Sequence, residues 1–327
     1  MPKVLIAYAP HRLGRNRAGQ PSLETHILST VQDVEDALLA KGHHVERAAL
    51  QRDVRRFLNR AKRFKPDVAF NLCEHVGGDY RLEKNAAAIL ELARLRYTGN
   101  PCLALALCLE KAMTKRLLRA FRIPTPDFEV VPPGESCEDF PLPAIVKPSL
   151  TDGSLGITAR SVVKTRNAMR NRVRYVHRTF NQAALIERFV SGREFQVALL
   201  GNREPAVLGV AELSYDGLPK HVPRICSYAA KWVPDSPYYR HTNPVLTGKI
   251  REPLRRGLEA IAIKAFEILG LRGYARVDFR VARGRPQLIE VNPNPDISRD
   301  AGLARAAEHA DISYPDLIDR IVQLGME

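Results

Sequence analysis

The sequence predicts an α/β protein, with an N-terminal doubly wound parallel sheet followed by further strand-and-helix lobes. Two observations carry this. Apolar runs alternate with helical patterns over the first hundred residues, the order of strands and crossover helices in a parallel sheet. A cluster of Pro124, Pro126, Pro132 and Pro133 then punctuates the chain, after which the order of elements changes.

In order, Val4 to Tyr8 reads as a strand. A helix follows from Ser22 to Lys41, burying Leu23, Ile27, Val31, Val34 and Leu38 and stopping at Gly42. A strand from His44 to Leu50, a helix through Phe57 and Phe64 and a strand from Asp67 to Leu72 repeat the unit. Ligands of such sheets gather at the carboxyl ends of the strands, where NLCEHVGGD (71–79) offers Glu74 and His75, either as substrate contacts or as a solvated polar loop. After YTGN (97–100) the pattern is helical through Leu118, and a boundary falls near residues 101–125. Short strands are expected at Ala144 to Lys147, Ile157 to Val162 and Ala184 to Val190, with a helix from Thr165 to Phe180. From Arg193 follow two apolar strands, a loop over 214–246, a helix from Ile250 to Leu269, a hairpin and two closing helices. The expected division is 1–105, 106–190 and 191–327.

The 327 residues carry 50 Lys+Arg against 36 Asp+Glu, a net charge of +14 that favours anionic partners, whether a phosphate-bearing cofactor or nucleic acid. Arg166, Arg170, Arg174 and Arg178 form a basic stripe opposite Met169, Val173, Val176 and Phe180, but no aromatic residues interleave as stacking platforms, so the stripe reads as a solvated face. Five cysteines without a close C-x-x-C pair read as free thiols of a reducing compartment. With no long apolar run, the chain is expected to be cytoplasmic and without a membrane partner.

The sharpest chemical signal is GYARVDFRVARGRPQLIEVN (273–292), two alternating segments about Arg-Gly-Arg. A turn centred on Gly284 sets Asp278 opposite Glu290 and Arg276 opposite Asn292 on one face, with Ala275, Val277, Phe279, Ile289 and Val291 on the other against a core. Directly opposed carboxylates, with Cβ atoms ~4.5–5.5 Å apart, repel unless a cation intervenes. A magnesium ion bridging nucleotide phosphates would relieve that repulsion, as would Arg276 alone. IVKPSLTDGSLGI places Lys147 at a strand end before a loop of small and hydroxyl residues, from Ser149 through Gly153 and Ser154 to Gly156, that can cradle phosphate. Lys111 opens a helix as a second phosphate contact or a surface lysine. In ALIERFVSGREF, Glu187, Arg188, Phe189 and Val190 can offer backbone groups to an adenine edge, and the Glu194 carboxylate can accept ribose hydroxyls.

In this order, YTGN, the Lys111 helix, IVKPSLTDGSLGI, ERFVSGREF, YARVDF and LIEVNPNP resemble the ATP-grasp superfamily and, within it, the D-alanine–D-alanine ligase-like enzymes. The resemblance covers about two thirds of the chain and implies a two-lobed ATP-grasp core behind an N-terminal substrate domain. It implies ATP and two magnesium ions, or manganese, as cofactors, small amino-acid or peptide substrates and a homodimer. Lys111, Lys147 and Lys231 would hold phosphates, the 149–156 loop would close as a lid, Asp278, Glu290 and Asn292 would bind the metals, and Arg276 would stabilise the negative tetrahedral species. Glu24 matches a glutamate that helps to place the first substrate. In this family a carboxylate attacks the γ-phosphate and an amine displaces phosphate from the resulting acylphosphate. Relative to D-alanine ligases, Gly153 replaces a serine, Trp232 a tyrosine, Asp296 a glycine and Ala301 a serine. The glycine-rich segment after the first strand is replaced by a loop bearing Arg12, Arg15 and Arg17.

Overall fold

The computed structural model describes residues 1–10, 24–137, 139–246 and 250–327, and the side chains of 24–26 lie outside the described part. The Arg12, Arg15 and Arg17 segment, Leu23 and the Glu24 side chain therefore fall outside it.

The N-terminal part is β1 (Lys3–Tyr8), α1 (Glu24–Ala40), β2 (His44–Ala49), α2 (Arg55–Phe64), β3 (Val68–Leu72) and α3 (Glu83–Leu92). The strands form a parallel sheet in the order β2-β1-β3, with Val4 level with both Val45 and Val68. Val4, Leu5, Ile6 and Ala7 are all fully buried, which is why the central strand is apolar without alternation. The helical stretch expected through Leu118 is two helices, α4 (Cys102–Leu109) and α5 (Lys111–Ala120), because Glu110 leaves the helical region at φ −81°, ψ 81°.

The central lobe contains β4 (Phe128–Val131), β5 (Ala144–Pro148), β6 (Val162–Val163), α6 (Arg166–Phe180) and β7 (Ala184–Arg188), with sheet order β4-β7-β5-β6. β4 is not expected from the sequence, and the strand expected at Ile157–Val162 shrinks to two residues. There the Ser161 hydroxyl accepts the Thr158 N–H and winds residues 159–161 into a 3-10 turn, a local side-chain bond competing with the ladder. Thr165 caps α6 by accepting the Ala168 N–H. Met169, Val173 and Val176 fill the lobe's own core with Val131, Ala144 and Ile186, while Arg166, Arg174 and Arg178 stand exposed, the first two against Asp139 and Asn171, so the basic stripe is a solvated face except at the half-buried Arg170.

The C-terminal lobe runs through β8 (Arg193–Gly201), β9 (Ala206–Ser214), α7 (Tyr228–Trp232), α8 (Pro237–His241), β10 (Asn243–Leu246), α9 (Glu252–Ile268), β11 (Gly273–Ala282), β12 (Arg285–Pro293), α10 (Gly302–His309) and α11 (Tyr314–Met326). The stretch expected as loop over 214–246 thus holds two short helices and an edge strand. The antiparallel sheet β10-β9-β8-β11-β12 has two apolar faces. Phe195, Val197, Val277 and Phe279 meet α9, whereas Ala198, Leu200 and Tyr274 share one core with α10, α11, α1 and the Val4, Ile6 and Phe70 side of the N-terminal sheet. Asn100 reinforces this junction by donating to the Tyr274 carbonyl at 2.9 Å and accepting the Arg272 N–H at 2.9 Å. All five cysteines are free thiols. Among the described residues no helix is long and apolar enough to cross a membrane.

Candidate functional site

A cleft of about 670 Å³ opens between the central lobe and the C-terminal sheet, lined by Lys147, Ser154, Glu187 to Val190, Glu194, Lys231, Asp278 and Glu290. The hairpin β11–β12 forms one wall. Arg276 pairs with Asn292 and Asp278 with Glu290, the register expected from sequence. The turn is nevertheless shorter than expected. Arg283 and Gly284, both at positive φ (52° and 73°), form a two-residue loop that pairs Ala282 with Arg285. A bulge between Asp278 and Phe279, with Ile289 as the extra residue, then restores the register. The expectation for Ile289 is corrected accordingly, since the bulge turns it into the cleft beside Glu290 instead of against the core.

The opposed acids are each met by a cation. Arg276 Nε and Nη2 donate to the two Asp278 oxygens at 2.7 and 2.9 Å, and Asn292 Nδ2 donates to Asp278 Oδ2 at 3.2 Å. Lys111 Nζ donates to Glu290 Oε1 at 2.5 Å. Burial works against ionisation of Glu290, but Lys111, Lys147 and Lys231 outweigh it and hold the carboxyl down at about 2. Among the described residues no three of His, Cys, Asp and Glu converge as a metal cluster. Asp278, Glu290 and Asn292 instead offer two opposed carboxylates and a carboxamide oxygen, a hard all-oxygen set at a cleft wall that fits magnesium.

The 149–156 loop forms the opposite rim. Gly153, Ser154 and Gly156 all have positive φ (62°, 60° and 79°), and a Cβ on Gly156 would come within 2.7 Å of Phe180 and 2.8 Å of Pro148. Glycine is the residue that fits there. Ser154 Oγ donates to the Cys226 carbonyl at 2.9 Å, and Trp232 Nε1 donates to the Gly153 carbonyl at 3.1 Å, tying the loop to α7. Behind it, the buried Arg172 donates to the Gly156 carbonyl and to Ser161 Oγ. The Ser149 carbonyl accepts the Lys111 N–H at 3.4 Å, bringing the start of α5 to the loop.

At the end of β7, Glu187 is 2% exposed and lies between Lys147 Nζ on Oε2 (2.8 Å) and Lys115 Nζ on Oε1 (3.0 Å). Burial opposes its ionisation, yet the two ammoniums keep the carboxyl below its usual range. The N–H groups of Arg188 and Phe189 bond the Asp127 and Pro143 carbonyls, which makes Val190 the candidate donor to a base edge. Glu194, 4% exposed, receives Arg280 Nη2 at 2.5 Å and the Tyr215 hydroxyl at 2.5 Å, both on Oε2. Arg280 also donates to the carbonyls of Gly192 and Arg224.

Acidic groups gather beyond the end of β3. Glu74 is exposed there, but the surrounding protein and the charges of Asp296 and Asp152 push its carboxyl up to about 7 against the pull of Lys231. His75 is buried, with Nδ1 accepting the Gly78 N–H at 3.1 Å and its ring edge on Tyr80, so it shapes the loop and is not a solvated histidine. Sequence reasoning missed Lys115, Arg172, Tyr215 and Arg280. Two carried a signal: Lys115 is one helical turn from Lys111, and Arg280 has the strand parity of Arg276 and Asp278.

Residues 119–323 match the family model described as D-ala D-ala ligase C-terminus. The D-alanine–D-alanine ligase of Moorella thermoacetica is 31% identical over 324 residues, 94% of this chain and 97% of that protein. An uncharacterized protein of Sinorhizobium fredii is 34% identical over 262 residues, 79% of this chain and 74% of that one. The solved structure of Bacillus anthracis D-alanine–D-alanine ligase complexed with ATP superimposes with a TM-score of 0.76 at 20% identity, over 98% of this chain and 97% of that one. The fold is therefore the ATP-grasp fold of those ligases, and with a family model matched over more than half its length, the chain belongs to the D-alanine–D-alanine ligase family.

Proposed function

We propose that this protein is a cytoplasmic, ATP- and magnesium-dependent ligase that joins the carboxylate of one amino-acid-like substrate to the amine of another, releasing ADP and phosphate. One observation carries the reading: opposed Asp278 and Glu290, with Asn292 behind them on Asp278, face a cleft whose other wall holds Lys147 and the glycine loop, with Lys111 reaching Glu290. Phosphoryl transfer needs this arrangement of negative metal ligands and positive phosphate clamps on one volume.

In this reading Lys111, Lys147 and Lys231 bind the phosphates, with Ser149, Gly153, Ser154 and Gly156 supplying the loop over them. Glu187 to Val190 border the base, and Glu194 takes the ribose through Oε1. Asp278, Glu290 and Asn292 hold two magnesium ions, or manganese, which when bound neutralise charge building on the transferred phosphoryl group. Arg276, fixed by its two bonds to Asp278, presents positive charge to the tetrahedral species formed when the amine attacks the acylphosphate. The loop, tied down by Ser154 and Trp232, keeps water from the activated acyl group. Glu24 helps to place the first substrate. Residues 1–105 serve as the substrate domain, 106–190 as the lid lobe and 191–327 as the catalytic lobe.

The substrates are a pair other than two D-alanines. Gly153 and Trp232 meet through a main-chain carbonyl, without the side-chain hydroxyls of the family's serine and tyrosine, and Asp296 adds charge where the family has glycine. The test is phosphate release from Mg-ATP with D-alanine and with pairs of D- and L-amino acids, with the product weighed by mass spectrometry. Release confined to one mixed pair with an amide product is expected, as is its abolition by Glu290→Gln in a folded protein. Turnover on D-alanine alone would overturn the substrate assignment, and full turnover by the variant would overturn the metal assignment.

A further inference from the structure

Lys115 lies behind the site rather than in it. It is 2% exposed, it does not line the cleft, and its ammonium is shared between Glu187 Oε1 at 3.0 Å and the Thr125 hydroxyl at 2.8 Å. Its position matters because Glu187 has a second cation, Lys147, on the other oxygen at 2.8 Å, and Lys147 and Glu187 both reach the cleft wall. Three charges in one dry site sum to +1. If Lys147 is to bind a phosphate, its ammonium must turn at least partly away from Glu187. With nothing on Oε1, that movement would strand an ionised carboxylate in the interior, and a buried charge without a partner is strongly unfavourable. Lys147 would then stay on Glu187, neutralised and withheld from the nucleotide.

We infer that Lys115 is a positioning residue that keeps Glu187 paired, so that the Lys147 ammonium is free to pass from the Glu187 carboxylate to the phosphates of ATP. The inference rests on the ATP-binding reading above. It explains why a lysine is buried in α5 with its head against a carboxylate from β7. Burial pulls the Lys115 ammonium down, the charge of Glu187 recovers only part of that loss, and the group is left at about 8. Such a group is retained against its own desolvation, and the local charge balance at Lys147 accounts for it. The charged groups facing Lys115 from the neighbouring elements are Glu187 on β7, Lys147 on β5 and, further off, Glu290 on β12.

The test uses the full-length protein with magnesium and a non-hydrolysable ATP analogue, titrated by calorimetry. Lys115→Met is expected to weaken binding tenfold or more and to raise KM for ATP correspondingly, with kcat at saturating ATP within about twofold. Lys115→Arg should restore most of the affinity. The decisive comparison is made where Glu187 has no charge: in a Glu187→Gln background, Lys115→Met should change affinity less than twofold, because no carboxylate is left to strand. That pair also keeps the test open should the single Lys115→Met variant not fold. Unchanged binding in Lys115→Met, or an equal loss in the Glu187→Gln background, would overturn the inference while leaving the ATP reading standing. A wild-type protein that binds no nucleotide would overturn both.

Discussion

Replacing Arg280 with methionine tests how the ribose side of the cleft is held. Arg280 is 5% exposed and Glu194 4%, so the substitution leaves a carboxylate in the interior with only the Tyr215 hydroxyl. Breaking a buried pair from one side costs about 3–5 kcal/mol. The carbonyls of Gly192 and Arg224 also lose a donor, at about 0.5–1.5 kcal/mol each. A loss of roughly 4–8 kcal/mol is expected, a large share of the ~5–15 kcal/mol that holds a typical domain. The assay is urea denaturation at pH 7, followed by the fluorescence of the single tryptophan, Trp232. Arg280→Met combined with Glu194→Gln should recover most of the loss and leave about 1–3 kcal/mol for the two carbonyls. A single-variant loss under about 1 kcal/mol, or a double variant no more stable than the single, would refute the view that an ion pair organises this wall.

Two further outcomes follow from the cleft. Trp232→Phe removes the donor to the Gly153 carbonyl, so the loop should shield the acyl group less well, and phosphate released per amide formed should rise several-fold above unity; an unchanged ratio would show that this bond does not close the loop. Glu74, raised to about 7 against an ordinary value of 4.5, keeps its proton in the folded protein over a range where the unfolded chain has lost it. Its contribution to stability is present below pH 4.5 and lost as pH rises through 7, reduced by the openness of the side chain to water. Relative to Glu74→Gln, the wild type should lose stability between pH 5 and 7 in denaturant titrations, and parallel curves would contradict the assignment.

Long amphipathic stretches were legible because one periodicity ran for several turns, as in α1, α6 and α9. β4 was not, being four residues hemmed in by prolines, and the strand expected at Ile157 lost to a single serine bond. The hairpin is more instructive. Its site pairs agree with an Arg-Gly-Arg turn centred on Gly284 only because a two-residue turn and a bulge at Ile289 offset one another, and periodicity registers neither. Lys111, Lys147, Asp278 and Glu290 could be named from local sequence. The Lys115 and Glu187 pair could not, because a buried lysine is intelligible only beside a partner 72 positions away that the fold brings to 3.0 Å.

The core shared by the first strands and the last two helices bears on how such a ligase can change its substrates. Because α1, β1 and β3 bury their apolar side against α10, α11 and Tyr274, these early and late segments form one cooperative unit, and neither has a complete interior without the other. The 128–188 segment, by contrast, closes a core of its own around Met169 and Val176. Recombination between relatives would preserve folding when it exchanges that middle segment and break it when the crossover falls between the termini. A change of acid or amine specificity that keeps this fold is therefore compatible with substitutions around the cleft or exchange of the middle segment, and not with exchange of the first hundred residues as a cassette.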